Sequence, residues 1–203
     1  MARRLALCAA LCGVLVLGSA VPAEATHGCG AARSSGARIV VKTREAVVFT
    51  KGIYYYGCLA SVGTVRRLPE EGGGIDITPP NIPVLAGRYV AYSTEGSGIG
   101  DEFDRLYVYD LRVGRRFLVE SSTVIRSVVL KRNGSVAWIE AAHADAGGDQ
   151  PVWDVRKWSN EERQGSLLID RGRDVDPDSL VLSPDRLSIG WTRGGAPRTA
   201  TLR

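Results

Sequence analysis

The chain has 203 residues, 24% of them charged, a net charge of +4 and an isoelectric point near 9.0. The positive balance is spread evenly and no run of Lys or Arg exceeds two residues, so a nucleic-acid-binding stripe is not expected. The length suits one domain.

Met1-Ala2-Arg3-Arg4 is a short basic start, followed by an apolar stretch from Leu5 to Gly18 and by the small-x-small run Ala23-Glu24-Ala25. That is the layout of a secretory signal, and its apolar part is too short for a membrane span. Residues 1–25 are expected to be removed, leaving a secreted, extracytoplasmic chain that starts at Thr26 and has no membrane span. Loss of Arg3, Arg4 and Glu24 would leave a net charge of about +3.

Cys8 and Cys12 lie in the signal, so Cys29 and Cys58 remain. An even pair in an oxidising compartment is most simply a disulfide. The alternative, a metal pair with His27, needs more ligands than the sequence offers nearby.

Further along, four apolar-small-aromatic runs recur: Val47-Val48-Phe49, Val90-Ala91-Tyr92, Val136-Ala137-Trp138 and Ile189-Gly190-Trp191. Their aromatics stand 43, 46 and 53 residues apart. Each run follows another β-rich run across a tight polar turn: Lys42-Thr43-Arg44-Glu45, Ala86-Gly87-Arg88, Arg132-Asn133-Gly134 and Ser183-Pro184-Asp185. These residues preset or tolerate turn dihedrals. Third and fourth strands follow at Ile53–Tyr56 and Val65–Leu68, at Leu106–Leu111 and Arg116–Val119, and at Val152–Val155 and Ser166–Ile169, with Val108-Tyr109-Asp110-Leu111 aligned on Val152-Trp153-Asp154-Val155.

Four strands per unit, at a period in the forties, with no sustained helical periodicity, predict an all-β, β-propeller-like domain over 26–203. About four four-stranded antiparallel blades are expected, near 37–70, 82–120, 125–170 and 178–203. The last blade is incomplete. The ring is therefore small, open, or completed by a partner.

Ser183-Pro184-Asp185 leading to Ile189-Gly190-Trp191 resembles the repeat of TolB-like β-propellers, a WD-repeat-like architecture in which Ser-Pro-Asp-Gly precedes an apolar-Ala-aromatic strand. Arg186 stands where Gly is usual. The resemblance implies protein–protein contact across a propeller face as the commonest use.

Chemistry-bearing clusters are sparse. The loop Gly96–Glu102 is glycine-rich but opens no helix, so it is not a dinucleotide site. Asp101, Glu102 and Asp104 there, and Asp145 and Asp149 in the insertion at 143–150, are weak candidates for a hard cation. No cofactor motif is present. Asp174, Asp176 and Asp178, beside Arg171 and Arg173, are expected to form an ion-paired link between blades. With His27 and His143 as the remaining histidines and no Gly-x-Ser-x-Gly elbow, nucleophilic catalysis is poorly supported. A hydrolase acting on cell-wall or carbohydrate material, with two facing carboxylates, is the rival reading. A degenerate propeller remnant is a third.

Phe49, Tyr92, Trp138 and Trp191 recur at one blade position and are expected in the core. Tyr54, Tyr55 and Tyr56 must alternate faces. Tyr55, Trp153 and Trp158 are the candidate binding residues. The last strand, near Thr199–Leu202, is expected to expose an unpaired edge that pairs with a second copy or another exported protein, and Ala200→Pro to remove a donor from it.

Overall fold

The computed structural model describes residues 28–69, 83–97, 102–122, 124–142, 151–161 and 165–203. Outside them lie the signal segment, Thr26, His27, Asp101, His143, Asp145 and Asp149. The described chain forms four antiparallel sheets in succession, each a simple meander. The first comprises β1 (Ala37–Lys42), β2 (Ala46–Lys51), β3 (Tyr54–Leu59) and β4 (Val65–Arg67). The second comprises β5 (Val84–Ala86), β6 (Tyr89–Ser97), β7 (Glu102–Asp110) and β8 (Arg115–Ser122). In the third are β9 (Ile125–Leu130), β10 (Val136–Ala141), β11 (Trp153–Trp158) and β12 (Leu167–Gly172). The fourth has β13 (Val181–Leu182), β14 (Ser188–Arg193) and β15 (Ala196–Thr201), one strand fewer than its neighbours.

The four repeated runs lie on β2, β6, β10 and β14, and their aromatics are buried. The cause is the period of two along a strand. On β6, Val90 and Tyr92 pack toward the first sheet, while Tyr89 and Ala91 pack toward the third. On β10, Val136 and Trp138 face the second sheet, and Ala137 and Ile139 face the fourth. A middle sheet is covered on both sides, so its central strand is apolar without alternation. Burying each large side chain contributes about 1.5–3 kcal/mol.

The first strands pack side by side, β1 against β5, β5 against β9, and β9 against β13. They form the inner line of the array. Among the described residues no comparable packing returns β13 to β1, and the ring does not close. The two ends differ in how they meet water. The outer face of the first sheet, Val47, Phe49 and Cys58, is covered by Cys29 and Ala32. Register puts Ser188, Gly190, Thr192, Thr199 and Thr201 together on the outer face of the fourth sheet. Val181 shares this face opposite Gly190 and is exposed.

Two expectations are corrected. The loop at Gly96–Glu102 is shorter than read: β6 and β7 remain paired out to Ser97↔Glu102, because backbone pairing continues without apolar side chains. Asp110 and Asp154 are also not equivalent. Asp110 ends β7 opposite Tyr89, whereas Asp154 is the second residue of β11, opposite Glu140. The short motif matched in letters but sits at opposite ends of its strand.

No helix among the described residues is long and apolar enough to cross a membrane.

Candidate functional site

The cysteines are joined as expected, and Cys58 is fully buried. Their bond ties the short 3-10 turn Gly30–Arg33 to β3.

The aromatic candidates do not form a patch. Tyr55 is buried between the first and second sheets. Trp158 is buried between the second and third, tilted against Phe117 with ring centroids 5.7 Å apart. Trp153 is half-buried on the other side of the third sheet. Five positions separate Trp153 and Trp158 on an unbroken β10–β11 register, so they must point to opposite faces. Tyr54 and Tyr56 are the more exposed members of the tyrosine run, with the Arg67 guanidinium 3.6 Å over the Tyr54 ring.

Asp104 is buried and accepts the Ile125 N–H at 3.0 Å, fastening the second sheet to the third. Among the described residues no group of three or more His, Cys, Asp or Glu side chains could hold a metal. Of the aspartates between the last two sheets, Asp174 pairs with Arg193 and Asp178 with Arg126, neither with its sequence neighbours, while Asp176 accepts the Asp178 N–H. Arg171 turns instead to Asp154.

A pair of buried carboxylates does exist. Glu140 and Asp154 are cross-strand partners. Arg156 lies against both, its Nε 2.6 Å from Glu140, while the Trp138 indole donates to Glu140 at 2.6 Å. Arg171 closes the cluster over Asp154. The arrangement pairs both carboxylates with guanidinium groups.

Between the third and fourth sheets, Asp170 accepts the Trp191 indole N–H at 2.9 Å and pairs with Arg193. Burial alone would raise its carboxyl. The indole, the Arg171 N–H and Arg193 outweigh it and hold Asp170 below the ordinary carboxylate range. Burial pushes the Tyr92 hydroxyl well above its usual value, and that hydroxyl donates to the Pro69 carbonyl.

The fourth sheet ends in a two-residue hairpin, Gly194-Gly195, both at positive φ as a type I′ turn requires. From this turn, register decides which backbone groups face outward. Leu202 N–H donates to Leu187 O. With a period of two, Ala200, Arg198 and Ala196 also face β14, and Pro197, Thr199 and Thr201 face the open edge. Ala200→Pro would therefore break the β14–β15 ladder and leave the outer edge untouched. The edge is blunted at both ends. Pro197 has no N–H to offer, and the Lys157 ammonium donates to Thr201 O at 2.8 Å.

At the end where the first-to-second-strand turns leave, the local chemistry follows the sequence. Thr43 Oγ1 accepts the N–H groups of Glu45 and Ala46, and Asn133 Oδ1 accepts that of Ser135. Arg186 N–H closes the Ser183 turn by donating to Ser183 O. Ser183 Oγ donates to Asp185 and accepts from Ser188 N–H. One arginine sits in each of these turns: Arg44, Arg88, Arg132 and Arg186. Their recurrence at 44, 44 and 54 residues was the signal in the sequence that could have singled them out.

No protein-family model matches the chain, and no curated protein matches its sequence. Among solved structures, the crystal structure of the tricorn protease superposes on 76% of this chain, with a TM-score of 0.53 at 14% identity. The fold is β-propeller-like. The aligned part is 15% of the tricorn protease chain, and at that identity the likeness concerns the fold alone.

Proposed function

We propose that the chain is an exported, non-catalytic β-propeller-like binding module, TolB-like or WD-repeat-like in its repeat, that engages another protein by strand addition at β15. One observation carries this reading: the fourth sheet is one strand short, and the Thr199 and Thr201 N–H groups face away from β14. An extended partner segment would supply the missing strand, its main chain giving affinity. The disulfide supports an oxidising compartment.

A segment of a different protein suits the edge better than a second copy. In antiparallel self-pairing centred on Thr199, Pro197 of each copy would face Thr201 of the other, and rungs would be lost. The ion pairing of Glu140 with Arg156 and of Asp154 with Arg171 supports a structural use of those carboxylates over hydrolysis.

Amide hydrogen exchange tests the reading. In the isolated protein, Thr199 and Thr201 should exchange quickly while Ala200 is protected. Adding the exported fraction should protect both threonines, and Thr199→Pro should abolish capture of the protecting protein. Unchanged exchange at both positions, with light scattering showing a monomer, overturns strand addition.

A further inference from the structure

The four turn arginines are distant in sequence, yet the side-by-side packing of β1, β5, β9 and β13 gathers their turns at one end of the molecule. Arg112 joins them from the β7–β8 turn, since first-to-second and third-to-fourth connections of a meander leave from the same end. Two clefts open there, of about 1280 and 550 Å³. Both are lined by Arg44, Glu45, Gly87 and Arg132, so they adjoin at the Glu45–Arg132 pair and together make one groove. Arg88 and Arg112 stand along the larger part and Arg186 along the smaller.

We propose that this groove docks an acidic, extended segment of a partner protein. The first argument is charge. Among the described residues on its walls, five arginines face one carboxylate, Glu45. Glu45 is taken by Arg132, and Arg88 is held by Asp110 at 3.0 Å and by the Tyr89 hydroxyl. Arg44, Arg112 and Arg186 are exposed and have no carboxylate partner among the described residues. Guanidinium forks match carboxylates bidentately, so acidic side chains are the natural complement.

The second argument is shape. The cations are dealt out one per turn over four sheets, so they do not converge on a point, and a single small anion would meet only one or two. The larger cleft exceeds the roughly 300–1,000 Å³ typical of a small-ligand pocket. Between the cations the walls carry apolar side chains, Leu59 and Val62 in the larger cleft and Leu85, Leu130 and Leu182 in the smaller, beside polar Ser61, Asn133, Thr43 and Ser183. Carboxylates interleaved with apolar side chains fit that alternation. A single-stranded nucleic acid would want exposed rings for stacking, and Tyr89, the aromatic on the wall, is 4% exposed. The groove lies along the inner line of strands, whereas β15 is the outermost strand of its sheet, so this inference stands independently of strand addition.

The test is fluorescence anisotropy of the whole exported chain with a fluorescein-labelled peptide alternating Glu and Val, and a Gln/Val counterpart as control. The Glu/Val peptide should bind and the Gln/Val peptide should not. Arg44→Gln combined with Arg186→Gln should weaken binding about tenfold. Arg112→Gln, on a separate turn, should weaken it about threefold, and Glu45→Gln, by releasing Arg132, should tighten it about threefold. Thr199→Pro, which acts on the edge, should leave this affinity unchanged. The proposal fails if the arginine variants bind as the parent does. It also fails if heparin or an oligothymidylate binds more tightly than the acidic peptide, since the groove would then be a general polyanion surface.

Discussion

Asp154 and Arg171 face each other across the β11–β12 pair and are joined by two hydrogen bonds, at 2.6 and 2.7 Å, although Asp154 is 1% exposed. The carboxylate was desolvated on folding, and its guanidinium partners compensate. Breaking the pair from the acid side removes the counter-charge that Arg171 holds by two hydrogen bonds, while Arg156 keeps Glu140. Asp154→Asn should therefore cost about 2–3 kcal/mol in urea unfolding. Arg171→Met should cost less, because Asp154 keeps Arg156 at 3.4 Å. Equal losses for the two variants would contradict this ordering.

The Asp170–Trp191 contact joins the last two sheets and carries a pH signature. The folded carboxyl titrates below its unfolded counterpart of about 3.9. Its contribution is thus complete above the unfolded value and is lost as pH falls through the lower, folded one. Urea midpoints measured between neutrality and strongly acid pH should fall below about pH 4. Asp170→Asn should lower the neutral plateau and flatten that decline, with Trp191 fluorescence reporting the local change. A parent and variant with parallel acid profiles would rule out this role.

Arg186 is the one described residue other than glycine with positive φ, at 59°. It occupies the left-handed position that follows the Ser183 turn, where a Cβ costs about 1–2 kcal/mol. Glycine removes that strain but returns about 0.4–1 kcal/mol through the freer unfolded chain. Arg186→Gly should therefore raise Tm slightly, by about 1–3 °C. Arg186→Val should lower it by a similar or larger amount, because a β-branched residue resists this conformation. Calorimetry with both variants checks the sign.

The Cys29–Cys58 bond spans 29 positions in sequence, and closing such a loop constrains the unfolded chain by about 3.5 kcal/mol. Replacing both cysteines by alanine should lower Tm by about 7–14 °C. The loss should concentrate in the first sheet, whose outer face rests against the tethered segment. Hydrogen exchange would show β2 and β3 opening before β10. Uniform destabilisation across all sheets would mean that the bond acts in another way.

The repeat was legible because it depends on short-range physics. Val136-Ala137-Trp138 and its counterparts alternate faces wherever they occur, and Thr43, Asn133 and Ser183 bond their own backbone without help from distant residues. Strand succession, turn positions, the disulfide and the short fourth blade therefore followed from the letters. Face assignment was harder for Tyr55 and Trp158. In stacked sheets both faces are buried, so an aromatic on either side becomes core and the usual contrast between inside and outside disappears. The groups that face outward from β15 were misassigned for a related reason. A period of two gives the parity of Ala200 and Thr199 only after the Gly194-Gly195 turn and the Leu202–Leu187 bond fix its origin.

By itself, the sequence determined what is local: strand after strand, the turns between them, and an all-β repeat counted in fours. Tertiary structure decided what depends on packing one sheet against the next. It covered the outer face of the first sheet with a disulfide-tethered turn and put Ser188, Gly190 and Thr192 together on the outer face of the fourth. It also set Arg44, Arg88, Arg132 and Arg186 around one groove, although more than forty residues separate each from the next. A chain cannot announce such a convergence in its local pattern, because the convergence comes from the side-by-side packing of β1, β5, β9 and β13, which exists only once the intervening cores have closed.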